Sequence, residues 1–211
     1  PLYLEENFGE MPDSNPSFPH ILESSRNTLI IALAATEIGK VMLPNHLQFV
    51  NANTGEPVDF LNEQPTFEDE VAALIYANAI NDLMPKFIRK DRWQTPEGNQ
   101  HDMLVMERLY PLPIHHFDLA IRTEMMQQFE AKLKELHENH FVHGDLMRPT
   151  NFYTRGDQEW MFKNIVQTEE GLRLIDAGFG KVLTRANIEL FVHTLFREQA
   201  EVEDFRDYYL G

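Results

Sequence analysis

Two short stretches of the chain carry side chains that can hold a metal ion and move a proton. They are FVHGDLMRPTN at 141–151 and LRLIDAGFGK at 172–181. The polar residues that they supply are His143, Asp145, Arg148, Asn151 and Asp176. Carboxylate and amide oxygens suit Mg²⁺, and an aspartate beside a hydroxyl can accept its proton. These residue types fit phosphoryl transfer, in which positioning and charge neutralisation do most of the catalysis.

The stretch 133–151 resembles the catalytic loop of the protein-kinase-like superfamily, together with the helix end that precedes it. It contains H-G-D-L followed by an asparagine, which is close to the family pattern H-x-D-L-x-x-x-N. The resemblance implies that Asp145 is the catalytic base and that Asn151 is a metal ligand. It also implies that His143 braces the loop and that Arg148 touches the transferring phosphate.

The stretch 172–181 resembles the D-F-G strand end of the same superfamily. The resemblance implies that Asp176 is the main Mg²⁺ ligand, and Ala177 stands where phenylalanine is usual. Asp145 and Asp176 lie 31 positions apart, and the two motifs occur in kinase order. Together the two motifs imply ATP and Mg²⁺ as cofactors.

Three earlier segments extend the resemblance over roughly 37–181, about two-thirds of the chain. One of them, MLVMERLYPL at 103–112, resembles the last small-lobe strand as it enters the hinge. This implies that Met106 lies at the back of the nucleotide pocket. The residues whose backbone groups would meet the adenine are Glu107, Arg108 and Leu109.

The other two segments, EIGKVML and FEDEVAALI, resemble the strand with the phosphate-gripping lysine and the small-lobe helix that supports it. The resemblance implies that Lys40 grips the phosphates and that Glu70 holds this lysine. Lys40 is the only lysine before the helix, with Arg26 as a remote substitute. Glu68 is the alternative to Glu70 as the supporting glutamate.

The sequence departs from the family pattern at four points. No glycine-rich loop precedes the lysine, because residues 1–36 contain a single glycine. The aspartate and the asparagine of the catalytic loop are six positions apart rather than five, as if one residue such as Met147 were inserted. Gly144 stands where many protein kinases have the arginine that anchors a phosphorylated activation loop. Only 30 residues follow Lys181, and they contain no A-P-E segment.

Apolar periodicity and capping signals predict the elements that position these residues. We expect strands within 29–50, a helix over 67–84 capped by Thr66, and a short strand and a polar loop over 86–102. A strand over 103–110 and a helix over 117–140 follow. Short strands are expected over 151–156, 159–168 and 171–180, and one or two helices over 183–210. This order predicts an α+β, two-lobed kinase-like fold. The β-rich N-lobe would span 1–107, with 1–28 irregular, and a reduced helical C-lobe would span 108–211.

Composition limits the classes of partner. The chain has a formal charge of −16 and no cysteine, which excludes a disulfide scaffold and a thiol nucleophile. Residues 1–80 hold twelve acidic and two basic residues, a balance that disfavours nucleic acid and anionic lipid. No apolar run approaches the roughly 18 residues that span a membrane. No secretory signal is visible, so we expect a cytoplasmic protein, or one delivered into a host cytosol if it is a bacterial effector.

The resemblance implies an ATP- and Mg²⁺-dependent phosphotransferase, similar to minimal kinases among bacterial effectors. A Ser/Thr hydroxyl of a protein is placed slightly ahead of a small molecule, because a chain this short leaves little room for a dedicated substrate pocket. Two alternatives remain open. One is a pseudokinase that binds nucleotide or protein, and the other is a kinase of an aminoglycoside or choline-like alcohol. An activating protein partner is also compatible with the reduced C-lobe.

Overall fold

The computed structural model describes residues 18–24, 28–43, 49–50, 57–58, 65–95, 98–146 and 162–211 of the chain. These residues form an α+β fold with a five-stranded antiparallel sheet and three α-helices. Several predicted features lie outside the described residues. They are Arg26, Met147, Arg148, Asn151 and most of the irregular segment 1–28.

The main sheet has the strand order β1-β2-β3-β7-β6. Its strands are β1 (His20–Ser24), β2 (Thr28–Ala32), β3 (Glu37–Met42), β6 (Phe87–Gln94) and β7 (Gln100–Glu107). Two further strands, β4 (Phe49–Val50) and β5 (Pro57–Val58), pair with each other. The predicted strands within 29–50 and at 103–110 are thus present, with shifted ends.

Side chains along β3 alternate between the two faces of the sheet. Val41 packs with Ile31 and Met103 in a small apolar cluster on one face of the sheet. Lys40 projects from the opposite face, because successive residues of a strand alternate between faces. Its cross-strand partner there is Leu104, which belongs to the main core beneath the helix.

Helix α1 spans Phe67–Ile80. The predicted N-cap is confirmed: the Thr66 hydroxyl accepts the Asp69 N–H, and the Asp69 carboxylate accepts the Thr66 N–H. The helix ends four residues before the predicted position. Asn81 adopts an extended backbone there, and its side-chain oxygen accepts the Leu83 N–H, so a local turn replaces the last helical turn.

Two longer helices, α2 (Leu119–Glu138) and α3 (Ile188–Leu210), pack against short strands in the second half of the chain. These strands form two antiparallel pairs, β8 (Phe141–Val142) with β11 (Lys181–Val182), and β9 (Ile165–Thr168) with β10 (Gly171–Leu174). A single 3-10 turn, Ala177–Phe179, lies between β10 and β11. The C-terminal region is therefore one helix, within the predicted range of one or two.

A continuous apolar core joins the sheet to the helices. It includes Leu74 of α1, Leu104 of β7, Phe129 and Leu136 of α2, and Phe205 of α3, each at most 2% exposed. Strand β7 ends where the predicted N-lobe ends, while the division into two lobes stays a prediction. Within the described ranges, no helix is long and apolar enough to cross a membrane.

The sequence pattern missed two strands of the main sheet: β1, which lies within the segment 1–28 that was predicted to be irregular, and β6. The polar stretch RKDRWQ of β6 was predicted as a loop, yet it continues the strand to Gln94. β6 forms an edge of the sheet, and most of its side chains are exposed. A strand without a buried face lacks the apolar alternation that identifies most strands, and its charges discourage pairing with other chains.

Candidate functional site

Lys40, Glu70 and Asp176 meet at the face of the sheet that α1 covers. The Lys40 Nζ lies 2.6 Å from the Glu70 Oε1 and 2.8 Å from the Asp176 Oδ1. The Lys40 and Glu70 side chains are 11% and 3% exposed, whereas Asp176 is 36% exposed. Three elements that lie far apart in the sequence thus bring two carboxylates to one buried ammonium group. The structure assembles the three residues that the resemblance implied for this position.

The first turn of α1 separates Glu70 from its neighbour Glu68. Glu70 is buried against Lys40, while the exposed Glu68 forms an ion pair with Lys90 of β6. Residues two positions apart on a helix point in different directions, so only one of the two can face the sheet. Of the two candidates, Glu70 is therefore the glutamate that holds Lys40.

Burial and mutual attraction shift the ionisation of all three groups. Burial disfavours the charge of Lys40, but the attraction of Glu70 and Asp176 outweighs it and raises the Lys40 pKa. Burial raises the pKa of Glu70, and Lys40 offsets this only in part. Burial also opposes the ionised form of Asp176, yet the contact with Lys40 keeps its pKa below the usual value. Asp176 is thus the carboxylate that stays ionised most readily.

Asp176 sits in a constrained turn. Its backbone has φ 65° and ψ 75°, a left-handed conformation that is uncommon for residues other than glycine. The residue that follows, Ala177, is 3% exposed, and the 3-10 turn packs on α1. A side chain at Gly180 would lie 2.9 Å from both Ala73 and Phe141. Small residues therefore let this turn approach α1 closely and bring Asp176 to Lys40.

His143 links the predicted catalytic loop to the strand end that bears Asp176. Its ring is fully buried, and its Nε2 lies 2.9 Å from the Ile175 carbonyl oxygen. Its Nδ1 accepts the Asp145 N–H at 3.3 Å. Because a carbonyl oxygen accepts and a backbone N–H donates, these two contacts assign Nε2 as the donor and Nδ1 as the acceptor. The contacts agree with the bracing role that the resemblance implied.

Asn164 is the residue at this site that the sequence interpretation missed. Its side-chain Nδ2 donates to the Asp145 carbonyl oxygen at 2.6 Å and to the Asp145 Oδ2 at 3.0 Å. Its own carbonyl accepts the Ile175 N–H at 2.9 Å, one residue before Asp176. Asn164 is 2% exposed. It therefore connects Asp145 to the residue directly before Asp176.

A sequence signal for Asn164 exists in retrospect. The residue follows Lys163 and begins the strand-like run IVQT, twelve positions before Asp176. Asn151 was predicted instead, because it lies within one position of the spacing of the family pattern. Arg148 and Asn151 lie outside the described residues, so their predicted roles stay predictions.

Backbone hydrogen bonds at the hinge show which of the three predicted residues has an N–H group available for adenine. The N–H groups of Glu107 and Arg108 donate to the carbonyls of Lys86 and Thr36, both at 2.9 Å. The Leu109 N–H has no acceptor among the described residues. Of the three residues named for this role, Leu109 is therefore the one that keeps a free backbone donor.

Side chains around the hinge pack inward. Met106 is 8% exposed and belongs to the main core. The Glu107 carboxylate accepts from the Arg173 guanidinium at 2.9 Å and from the Lys86 N–H at 3.0 Å. Arg173 also donates to the Met84 carbonyl. These contacts tie the end of β7 to β10, the strand that leads to Asp176.

The donor set near Asp176 fits Mg²⁺ bound with a nucleotide. Mg²⁺ on phosphates needs only one or two protein oxygens, because phosphate and water supply the rest. Asp176 offers a carboxylate, and Asn164 offers its side-chain carbonyl oxygen, since its amide nitrogen is used on Asp145. In the part of the chain that the structure describes, no group of three or more acidic or histidine side chains forms a closed metal site. The partly exposed carboxylate of Asp176 is the kind of ligand that nucleotide-bound Mg²⁺ requires.

No protein-family model matches the chain, and no curated protein matches it. Among solved structures, the chain is similar to the kinase PK-1 of the Cydia pomonella granulovirus, with 13% identity and a TM-score of 0.46. The match covers 77% of this chain and 51% of the viral kinase, so the chain spans about half the length of that protein. With a TM-score below 0.5 and 13% identity, this likeness supports no conclusion about fold or function, and any function must come from the chain's own residues.

Proposed function

We propose that the chain is an ATP- and Mg²⁺-dependent phosphotransferase that transfers the γ-phosphate to a hydroxyl group. The observation that carries the proposal is the buried Lys40 held within 2.8 Å by both Glu70 and Asp176. Burying an ion pair costs more than it returns in many folds, so a second carboxylate on the same lysine is poor stabilising design. It is good design for a site that receives phosphate charge and a divalent cation.

Lys40 is the proposed phosphate ligand. Glu70 fixes the direction of its side chain, and the raised Lys40 pKa keeps the ammonium charged at neutral pH. A bound Mg²⁺ would neutralise phosphate charge, and Asp176 would be its main protein ligand. The low Asp176 pKa supports this assignment, because metal ligands must be deprotonated.

Asn164 is the proposed second metal ligand, with Asn151 as the alternative that sequence spacing suggested. Asn164 supports the assignment by its contacts with Asp145 and with the residue before Asp176. Lys163 adds positive charge, since its attraction lowers the pKa of both Asp145 and Asp176. Lys163 is thus a proposed phosphate contact, a role that the resemblance assigned to Arg148.

Asp145 is the proposed base that accepts the proton of the attacking hydroxyl. Its Oδ2 is held by Asn164 and its N–H by His143, so the carboxylate has a fixed position. Burial raises its pKa, which brings a carboxylate closer to the basicity that proton transfer needs. A protein Ser/Thr hydroxyl remains the preferred acceptor, ahead of a small cationic alcohol.

One observation favours the pseudokinase alternative. Lys40 is already neutralised by two carboxylates, so phosphate must compete with Asp176 for the same ammonium group. A binding module that holds its lysine in this way would bind nucleotide weakly or not at all. The two functions differ in turnover, which makes them separable by one assay.

The experiment is Mg²⁺-dependent transfer of labelled phosphate from ATP to a mixture of protein acceptors and a panel of cationic alcohols. We expect the wild type to transfer, and Asp145→Ala and Asp176→Ala to be silent. Asp91→Ala is the matched control, because Asp91 is an exposed aspartate whose ion pair is with Arg89 on its own strand. Nucleotide binding without transfer to any acceptor would favour the pseudokinase and a search for an activating partner.

A further inference from the structure

Helix α3 holds the peptide groups of Gly144, the residue directly before the proposed base. The Glu198 Oε1 accepts the Gly144 N–H, and the Arg197 Nη2 donates to the Gly144 carbonyl oxygen at 2.6 Å. Two adjacent residues of α3 thus satisfy both backbone groups of one loop residue that lies more than fifty positions earlier. Neither contact was visible in the sequence.

The Glu198 side chain contacts both the loop and helix α2. It is completely buried, and its second oxygen lies 2.9 Å from the His137 Nε2 of α2. A buried carboxylate is costly unless its oxygens are fully engaged. Here one oxygen contacts α2 and the other contacts the loop, so Glu198 joins three elements at a single point.

The backbone of Gly144 is suited to this arrangement. Its φ is +83°, and a Cβ there would lie 3.1 Å from the carbonyl carbon of Phe179. Only glycine adopts this conformation without strain and without contact against the turn that follows Asp176. The arginine that many kinases carry at this position would not fit, and the α3 side chains contact the loop instead.

We propose that Glu198 and Arg197 are positioning residues that fix Asp145 by clamping the peptide groups of Gly144. This inference rests on the proposed function, because it assigns the two residues a role in the chemistry of Asp145. Asp145 is then held from both sides, by α3 through Gly144 and by Asn164 through its own carboxylate. Neither Glu198 nor Arg197 touches the reacting groups.

The test compares Glu198→Ala, Glu198→Gln and Arg197→Ala with Arg206→Ala. Arg206 is the matched control, because it lies on the same helix, is 46% exposed like Arg197, and pairs with Glu130 of α2 rather than with the loop. Three quantities are measured for each variant: hydrogen exchange of the Gly144 amide, kcat with the KM for ATP, and the melting temperature.

We expect the Gly144 amide to exchange about 100-fold faster in Glu198→Ala, while amides of α1 are unchanged. Displacement of the base should lower kcat by about 100-fold with little change in the KM for ATP. Glu198→Gln keeps an acceptor for the Gly144 N–H, so it should recover most of both losses. Arg197→Ala should show a smaller loss in kcat, and Arg206→Ala none.

Two results would overturn the clamp. One is a Gly144 amide whose exchange is unchanged in Glu198→Ala and Arg197→Ala. The other is an equal loss in Arg206→Ala, which would indicate a general effect on α3. If Glu198→Ala does not fold, the exposed Arg197→Ala decides, because it removes the hydrogen bond to the Gly144 carbonyl oxygen. A kcat equal to that of the wild type in Arg197→Ala would then overturn the clamp. If the wild type transfers no phosphate but the exchange pattern holds, the clamp stands and the proposed function fails.

Discussion

The two halves of the candidate site are built differently. Lys40 and Glu70 stand on a central strand and on a helix, whose geometry fixes the direction of each side chain. Asp145 and Asn164 lie outside helices and strands and are hydrogen-bonded to each other. Asp145 also donates its N–H to His143, and the preceding Gly144 is hydrogen-bonded to α3. For Lys40 and Glu70, the position along a strand or helix is enough to predict where the side chain points. For Asp145 and Asn164, that direction follows only from the tertiary contacts.

Substitution in the half formed by Lys40 and Glu70 should have the largest effect on phosphate transfer and on stability. Lys40→Met leaves Glu70 buried without its cation and removes the proposed phosphate ligand. We expect transfer to fall about 100- to 1,000-fold, and the free energy of unfolding to fall by about 3 kcal/mol. Kinetics and denaturant unfolding measure the two effects.

Lys90→Met is the control for this change, because Lys90 lies on the same sheet in an exposed ion pair. It should change stability by less than about 0.5 kcal/mol. The double variant Lys40→Met/Glu70→Leu should recover most of the lost stability, because no buried charge remains at Glu70, without recovering transfer. Full activity in Lys40→Met would contradict the proposal that Lys40 binds phosphate.

Comparing Asn164 with Asn151 tests which of the two asparagines is the second metal ligand. Asn164→Ala removes the contact with Asp145 and the proposed metal oxygen, so we expect transfer to fall about 10- to 100-fold, with more Mg²⁺ needed for half-maximal rate. Asn151→Ala should change neither quantity. Steady-state rates over a Mg²⁺ series provide the measurement. The reverse ranking would restore the assignment that sequence spacing favoured.

A substitution at Gly144, in the loop before Asp145, should have a smaller effect on stability and on kcat. Gly144→Ala adds a side chain at φ +83° against Phe179, so we expect a loss of about 2 kcal/mol in stability and a lower kcat. Gly98→Ala is the control for strain alone, because Gly98 has φ +90° and a Cβ there would meet only the Gln94 Nε2, at an ordinary contact distance of 3.9 Å. It should cost about 1 kcal/mol. Equal losses in the two variants would show that the contact with Phe179 is unimportant.

The smallest expected effect is in the pH dependence of transfer. Burial raises the pKa of Asp145, and the attraction of Lys163 opposes this rise. Because the base must be ionised, the rate should fall as pH drops through a pKa above the usual aspartate value. Lys163→Met removes part of the opposing attraction, so the acid limb should move to higher pH, while the exposed Lys134→Met leaves it in place. A limb that moves to lower pH in Lys163→Met would contradict this account of Asp145.

Much of the site could be predicted from the sequence, and the limits have physical causes. Lys40, Glu70, Asp145 and Asp176 were named because their order along the chain matches motifs that depend on local residue types. Asn164 was missed because it lies 19 positions after Asp145, and local residue patterns do not predict which residues so far apart in sequence are in contact. The cap at Thr66 was found, since capping depends on residues three positions apart.

Other features depend on contacts that no local pattern encodes. Strand β6 has no buried face to produce alternation, and the early end of α1 follows from one asparagine side chain. Glu198 looks like an ordinary helix glutamate until its contact with Gly144 is known. Likewise, the free backbone donor of Leu109 becomes visible only once the partners of the two preceding residues are assigned.

The most direct test of the central claim is calorimetric titration of ATP into the wild type and Asp176→Ala, each with Mg²⁺ and with a chelator. The account predicts that the wild type binds ATP with Mg²⁺, and that binding weakens sharply with the chelator. Asp176→Ala should bind weakly in both conditions. A wild type that binds no nucleotide in either condition would contradict the claim that Lys40, Glu70 and Asp176 form a nucleotide site.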